Sequence, residues 1–167
     1  MRLTLTLICL AFALMACAEL DESASEPDND QPGERALVTR VIDGDTIEVE
    51  IDGVGYRVRY IGVNTPERDE PCYGPATNRN RQLVENQTVR LVRDETNTDR
   101  FGRLLRYVYS GGTFVNERLV QDGFAEATLY EPDDEYHELF VRREQTAAEA
   151  NLGCHPTGIF DDNTYRR

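Results

Sequence analysis

Apolar and polar positions fall into five short strand-like runs, of which the second and third alternate with the period of half-buried strands. Leu37 to Ile42 is the first. After the interruption Asp43-Gly44-Asp45-Thr46, the residues Ile47, Val49 and Ile51 place every second side chain on one apolar face. In the third run, Tyr56 to Ile61, Tyr56, Val58 and Tyr60 face one way and Arg57 and Arg59 the other. Val89 to Arg93 and Arg103 to Tyr109 supply the fourth and fifth, the latter ending at the turn Ser110-Gly111-Gly112. Helical spacing takes over in three places. Pro75 opens a stretch to about Glu85, proline being tolerated at a first helical position because its missing N–H is not needed there. Val115 to Gln121 is a second, stopped by Gly123 as a left-handed cap. The third runs from about Asp133 to Ala150, with Tyr136, Leu139, Phe140, Ala147 and Ala150 on one stripe, three acids at its start and Gly153 after its end. Five strands with interspersed helices predict an α+β domain built on a small closed barrel.

The start of the chain has a different texture. Arg2, an apolar run from Leu3, and then Leu14-Met15-Ala16-Cys17 have the order of a secretory signal, and a cysteine after Leu-Met-Ala has the form of a bacterial lipobox. Residues 1–16 are therefore expected to be a lipoprotein signal peptide, with Cys17 lipidated at the mature N-terminus. The apolar run is short for a membrane span of about 20 residues. Residues 17–36 carry seven acids and almost nothing to bury, which describes a self-repelling tether. The folded domain is expected over 37–153, followed by a tail at 154–167 with no clear pattern. The expected location is the bacterial cell envelope, periplasmic or outer surface, as a lipid-anchored monomer.

Charge at first opposes a polyanionic partner, because the chain carries a net charge of -13. Its distribution changes that picture. From Leu37 to Val120 there are 12 arginines against 13 acids, whereas 11 acids face 4 arginines after Gln121. All 18 basic residues are arginine, so each cationic contact is a planar fork suited to phosphate. Of the four cysteines, Cys9 falls in the signal and Cys17 at the lipidation point. Cys72 and Cys154 remain; in an oxidising compartment they are expected to pair, the alternatives being a metal site or a reactive thiol. Zinc would lack an evident fourth ligand even with His155 counted.

Candidate chemistry gathers at the strand ends. Asp43 and Asp45 lie in one loop, Asn64 and Glu67 in a second that Pro66 stiffens, and Arg59 beside them. A hard divalent cation takes oxygen ligands of this sort, and a phosphodiester takes both the cation and an arginine fork. An isolated Asp-Gly-Asp is ordinarily a solvated turn, and this one lacks the glycine position and later ligands of an EF-hand loop. Joint occurrence of several motifs is what raises it above that reading.

VIDGDT at Val41 to Thr46, VRYIGVNTPE at Val58 to Glu67 and TDRFGR at Thr98 to Arg103 occur in the order and spacing of the staphylococcal nuclease family, which the chain resembles over roughly Leu37 to Leu152. The resemblance implies an OB-type five-stranded β-barrel with about three helices. It also implies a Ca²⁺-dependent nuclease that cleaves DNA and RNA at the P–O5′ bond, leaving 3′-phosphate ends. By the same resemblance Asp45, Asn64 and the Thr65 carbonyl would ligate Ca²⁺, and Asp43 would hold a water of its hydration. Glu67 would be the general base, with Arg59 and Arg103 gripping the phosphate. The sequence departs from the family at Asn64, where the staphylococcal enzyme has aspartate, at Phe101, where it has tyrosine, and near Leu129, where it offers another aromatic. A non-catalytic nucleic-acid- or protein-binding module on the same barrel, or a structural lipoprotein, are the competing expectations.

Overall fold

The computed structural model describes residues 32–161. The signal-like run, Cys9, Cys17 and nearly all of the acidic tether lie outside the described residues, as does the end of the tail. The strands are β1 (Glu34–Val41), β2 (Thr46–Ile51), β3 (Val54–Tyr60), β4 (Val63–Asn64), β5 (Thr88–Val92), β6 (Leu104–Ser110), β7 (Thr113–Phe114) and β8 (Glu126–Ala127). Three helices accompany them: α1 (Tyr73–Val84), α2 (Val115–Gln121) and α3 (His137–Glu149).

Five of the strands close on themselves in the order β3-β2-β1-β5-β6, with β6 returning to pair β3. The closing pair is parallel, with Val58 opposite Leu104 and Arg59 opposite Leu105, while the other pairs in the barrel are antiparallel. Alternation in the sequence becomes inside and outside here: Val38, Ile47, Val49, Val58, Leu91 and Leu105 are all at most 1% exposed and fill the barrel. The expected five-stranded barrel with three helices is thus the fold that forms.

Several boundaries differ from those the pattern predicts. β1 begins at Glu34 rather than Leu37, because Glu34 to Leu37 pair with β5 before β2 takes over the strand. Helix α1 begins at Tyr73 rather than Pro75, with Cys72 in a left-handed conformation before it. Proline is accommodated there because the whole first turn of a helix lacks intrahelical acceptors for its N–H groups. Helix α3 begins at His137, and Asp133 acts outside it, where it is 1% exposed and accepts the Thr96 N–H at 2.7 Å. Among the described residues β4 and β8, two residues each, pair only with one another and have no length over which a period could be read.

Two devices fasten the helices. Asn116 of α2, fully buried, accepts the Val108 N–H through Oδ1 and donates from Nδ2 to the Ile61 carbonyl, both at 2.9 Å. Cys72 and Cys154 form the expected disulfide, with Cα atoms 5.6 Å apart, joining the start of α1 to the segment after α3. Nearby, Gly123 and Gly153 let two backbones cross: a Cβ on Gly123 would lie 2.5 Å from the Leu152 carbonyl oxygen. Among the described residues no helix is long and apolar enough to cross a membrane.

Candidate active site

The turn between β1 and β2 is built from its own acids. Ile42 and Asp43 N–H groups both donate to the Thr46 carbonyl, and the Asp45 N–H donates to Asp43 Oδ1 at 3.1 Å. Asp45 is thereby turned inward, 5% exposed. Its Oδ2 accepts the Thr65 N–H at 2.9 Å and the Thr65 hydroxyl at 3.0 Å, and its Oδ1 accepts the Thr46 hydroxyl at 3.1 Å. This packs the second loop directly on the first. A Cβ at position 44 would lie 2.5 Å from Thr65 Oγ1, so the glycine between the two aspartates is required by the approach of Thr65.

Arg59 reaches the same place from the end of β3. Its Nη1 donates to the carbonyls of Tyr60 and Val63, both at 2.7 Å, its Nη2 to Asn64 Oδ1 at 3.2 Å, and its Nε lies 3.2 Å from Asp45 Oδ1. Three hydrogen bonds and the ion pair with Asp45 hold it among the described residues, so the guanidinium plane is set before any ligand arrives. Asn64 is 2% exposed and is also tied on its far side, where Nδ2 donates to Glu126 Oε1 at 2.9 Å.

Asp43 is half-buried behind Asp45. Asn80 of α1, fully buried, holds the turn by donating from Nδ2 to the Asp43 carbonyl at 2.9 Å while its Oδ1 accepts the Tyr60 hydroxyl at 2.9 Å. Burial, and then the charge of Asp45, push the Asp43 carboxyl up to about 7, against the opposing pull of the Asp45 N–H and of Arg59. Two carboxylates confined this way leave an excess of negative charge that a bound cation would relieve.

Glu67 stands at the mouth, exposed to solvent, in a turn closed by its N–H donating to Glu70 Oε2 at 2.7 Å. What burial it has, followed by the charge of Asp45, raises its carboxyl above the ordinary range; Glu70 adds to this and Arg59 and Arg103 oppose it. These four neighbours locate Glu67 among the other site residues. Arg103, half-buried immediately before β6, is held by Asp99, whose Oδ2 accepts from Nε at 2.6 Å. Burial alone would push the Asp99 carboxyl up, yet hydrogen bonds from the Arg103 and Phe101 N–H groups and the Arg103 side chain hold it below its usual value. Between these arginines Phe101 is 68% exposed, with the Arg100 guanidinium 4.7 Å and that of Arg103 5.4 Å from its ring centre.

The fold therefore brings Asp43, Asp45, Arg59, Asn64, Thr65 and Glu67 together and leaves Arg103 within electrostatic range of Glu67. Cys17 lies outside the described residues. Among the described residues no three His, Cys, Asp or Glu side chains converge as a metal site of their own. A cation here would also draw on the Asn64 amide oxygen or on backbone carbonyls. Sequence reasoning did not find Asn80, Asp99 or Glu126. Asp99 stood inside the TDRFGR motif and could have been noticed; Asn80 and Glu126 act from elements whose position depends on the closed barrel.

Comparisons with known proteins cover part of this site, the family model reaching Arg59, Asn64, Thr65, Glu67 and Arg103 but not Asp43 or Asp45. The family model described as staphylococcal nuclease homologue matches residues 57–154. A thermonuclease of Staphylococcus intermedius is 42% identical over 129 residues, covering 74% of this chain and 77% of its own length. One from Staphylococcus hyicus is 43% identical over 116 residues, 66% of this chain and 69% of its own. Endonuclease YncB of Bacillus subtilis is 38% identical over 144 residues, 80% of this chain and 68% of its own.

Proposed function

The chain belongs to the staphylococcal nuclease family and is a nuclease, and from that premise we propose that it is a Ca²⁺-dependent phosphodiesterase hydrolysing DNA and RNA to products with 3′-phosphate ends. The observation that carries this reading is the convergence of an exposed carboxylate, Glu67, with a preset guanidinium, Arg59, on the buried Asp45 and its half-buried neighbour Asp43. Ca²⁺ fits this donor set because Asp45, Asn64 and the Thr65 carbonyl are hard oxygen ligands, and because the disfavoured ionisation of Asp43 beside Asp45 calls for positive charge. When bound, the ion supplies electrostatic stabilisation of charge developing on the phosphate.

The chain's own residues divide the remaining work. Glu67 takes a proton from the water that attacks phosphorus, and its raised carboxyl makes it a better acceptor than an ordinary surface glutamate. Arg59 and Arg103 grip the non-bridging oxygens, where charge grows most as the fifth bond forms. The P–O5′ bond breaks with its electron pair on the 5′ oxygen, which takes a proton from solvent to leave as a hydroxyl; phosphate stays on the 3′ side and Glu67 returns its proton to water. Phe101, flanked by two arginines, offers an exposed ring face on which a base can stack.

At the chain level the proposed setting is the cell envelope, with a lipid on Cys17, the acidic tether spanning to a monomeric domain, and cleavage of nucleic acid outside the cytoplasm. Labelled-lipid incorporation that disappears in Cys17→Ser is the expected result; incorporation unaffected by the change removes the anchor. The central test is degradation of single-stranded DNA by the purified chain with Ca²⁺ or EGTA, alongside Glu67→Gln. Cleavage is expected to need Ca²⁺ and to fall at least about 100-fold in the variant, within the usual range for a general base, with substrate binding retained. A folded chain that binds DNA but leaves it intact with Ca²⁺, Mg²⁺ and Mn²⁺ alike would favour a binding module.

A further inference from the structure

We propose that Glu126 is a positioning residue, which fixes the amide of Asn64 so that its oxygen rather than its NH₂ faces the cation and phosphate site. The inference rests on the reading of Asn64 as an oxygen donor to Ca²⁺, and deepens it. An asparagine is an ambiguous ligand, because a half-turn about its last bond exchanges an acceptor for a donor. Placed in a metal site the wrong way round, it would present N–H to a cation. Nothing in Asn64 itself prevents that.

Glu126 prevents it. A carboxylate only accepts hydrogen bonds, and Glu126 Oε1 sits 2.9 Å from Asn64 Nδ2, so the amide can turn only its NH₂ toward it. Oδ1 is left on the opposite side, where Arg59 Nη2 meets it at 3.2 Å and where Asp45 is paired to the same guanidinium. Arg59 alone is not a lasting constraint. A cation that takes Oδ1, or a phosphate that draws the guanidinium away, removes that contact, whereas the Glu126 contact lies on the other side of the amide and survives both.

The backbone is arranged to keep the pair in register. Asn64 and Glu126 lie 62 residues apart in sequence and directly opposite each other in the β4–β8 ladder, which has two pairs in all. Glu144 of α3 accepts the next N–H, that of Ala127, at 3.0 Å and so pins β8 from outside. Both side chains are 2% exposed, a position in which a carboxylate is costly to keep.

The proposal is tested by a double-mutant cycle on the full chain, read by calorimetric Ca²⁺ titration and by thermal unfolding without metal. Glu126→Gln keeps the shape but lets either amide orientation form. It is expected to weaken Ca²⁺ binding about 10- to 100-fold, as loss of a ligand-orienting partner does. Adding Asn64→Asp should return most of that affinity, because a carboxylate presents the same oxygen whichever way it turns and can accept from the amide introduced at position 126. Without metal, Asn64→Asp alone should lower Tm by setting two buried carboxylates face to face, and Glu126→Gln should raise Tm in that background. Unchanged Ca²⁺ affinity in Glu126→Gln, or a loss that Asn64→Asp does not restore, would overturn the proposal. If the unmodified chain binds no Ca²⁺, the metal reading fails by itself. The amide orientation is then decided by the metal-free cycle, where additive effects on Tm would overturn it and a rescue would sustain it.

Discussion

At the scale of single residues the site is a set of charges that do not balance on their own. Asp43 shows this most clearly, since its carboxyl sits at about 7 while an unfolded aspartate titrates near 4. The folded chain therefore binds a proton there that the unfolded chain has released, so this contribution to stability is present in full below about pH 4 and lost as pH rises through 7. Asp43→Asn should flatten the fall in stability between those limits in metal-free protein, as measured by urea unfolding at several pH values. The converse holds for a cation, whose affinity should climb over the same range as the proton leaves. Glu67 follows a related rule. Because its carboxyl lies above the ordinary range and the base must be ionised, the acid limb of kcat/KM should fall at a higher pH than an ordinary glutamate sets, and disappear in Glu67→Gln.

Among elements, the stiffness of the site comes from contacts made by pieces that carry no catalytic group. Asn80 of α1 holds the turn of Asp43, and Asn116 of α2 holds the strand end at Ile61. The disulfide then ties the start of α1 to the chain 82 residues later. Closing a loop of that length restricts the unfolded chain by on the order of 4 kcal/mol. Replacing both cysteines by serine should therefore cost about that much in a urea titration, within the usual range for a lost native bridge. It should also speed proteolysis after Leu152, whose segment then rests, among the described residues, on the Gly123–Gly153 crossing and the Cys154 N–H to Gly123 carbonyl hydrogen bond as main-chain ties to α2's end.

For the whole molecule, the opposition lies between a strongly acidic chain and a polyanionic substrate. The arginines are concentrated in the barrel segment, close to charge balance there, while the tether and the segment after Gln121 hold the surplus acid. Long-range repulsion acts on encounter and is screened within about 8 Å at physiological salt, whereas the site contacts act at hydrogen-bond distance. Neutralising the tether acids Glu19, Asp21, Glu22, Glu26, Asp28 and Asp30 should raise kcat/KM at low ionic strength, an advantage that vanishes as salt is added. A gain in kcat instead would place the tether's effect in the chemical step.

Read alone, the sequence determined the features that depend on near neighbours. Apolar patterning marked the five barrel strands, with the alternation of a half-buried strand plainest in β2 and β3, and the Asp-Gly-Asp turn, the Pro66 loop and the arginine after Phe-Gly identified most of the site through short spacings. The pairing of Cys72 with Cys154 was legible because these are the two cysteines that lie beyond the signal-like start of the chain. Only the tertiary structure decided which partner each side chain meets once the barrel closes. Glu126 lies in a two-residue strand with no period to read, and its contact with Asn64 exists because β4 and β8 are brought side by side. The inward turn of Asp45 likewise depends on Thr65 descending onto Gly44 from another loop. Periodicity reports which face of an element is buried, but the hydrogen-bond partner across that face is set by closure and register, which are properties of the whole chain.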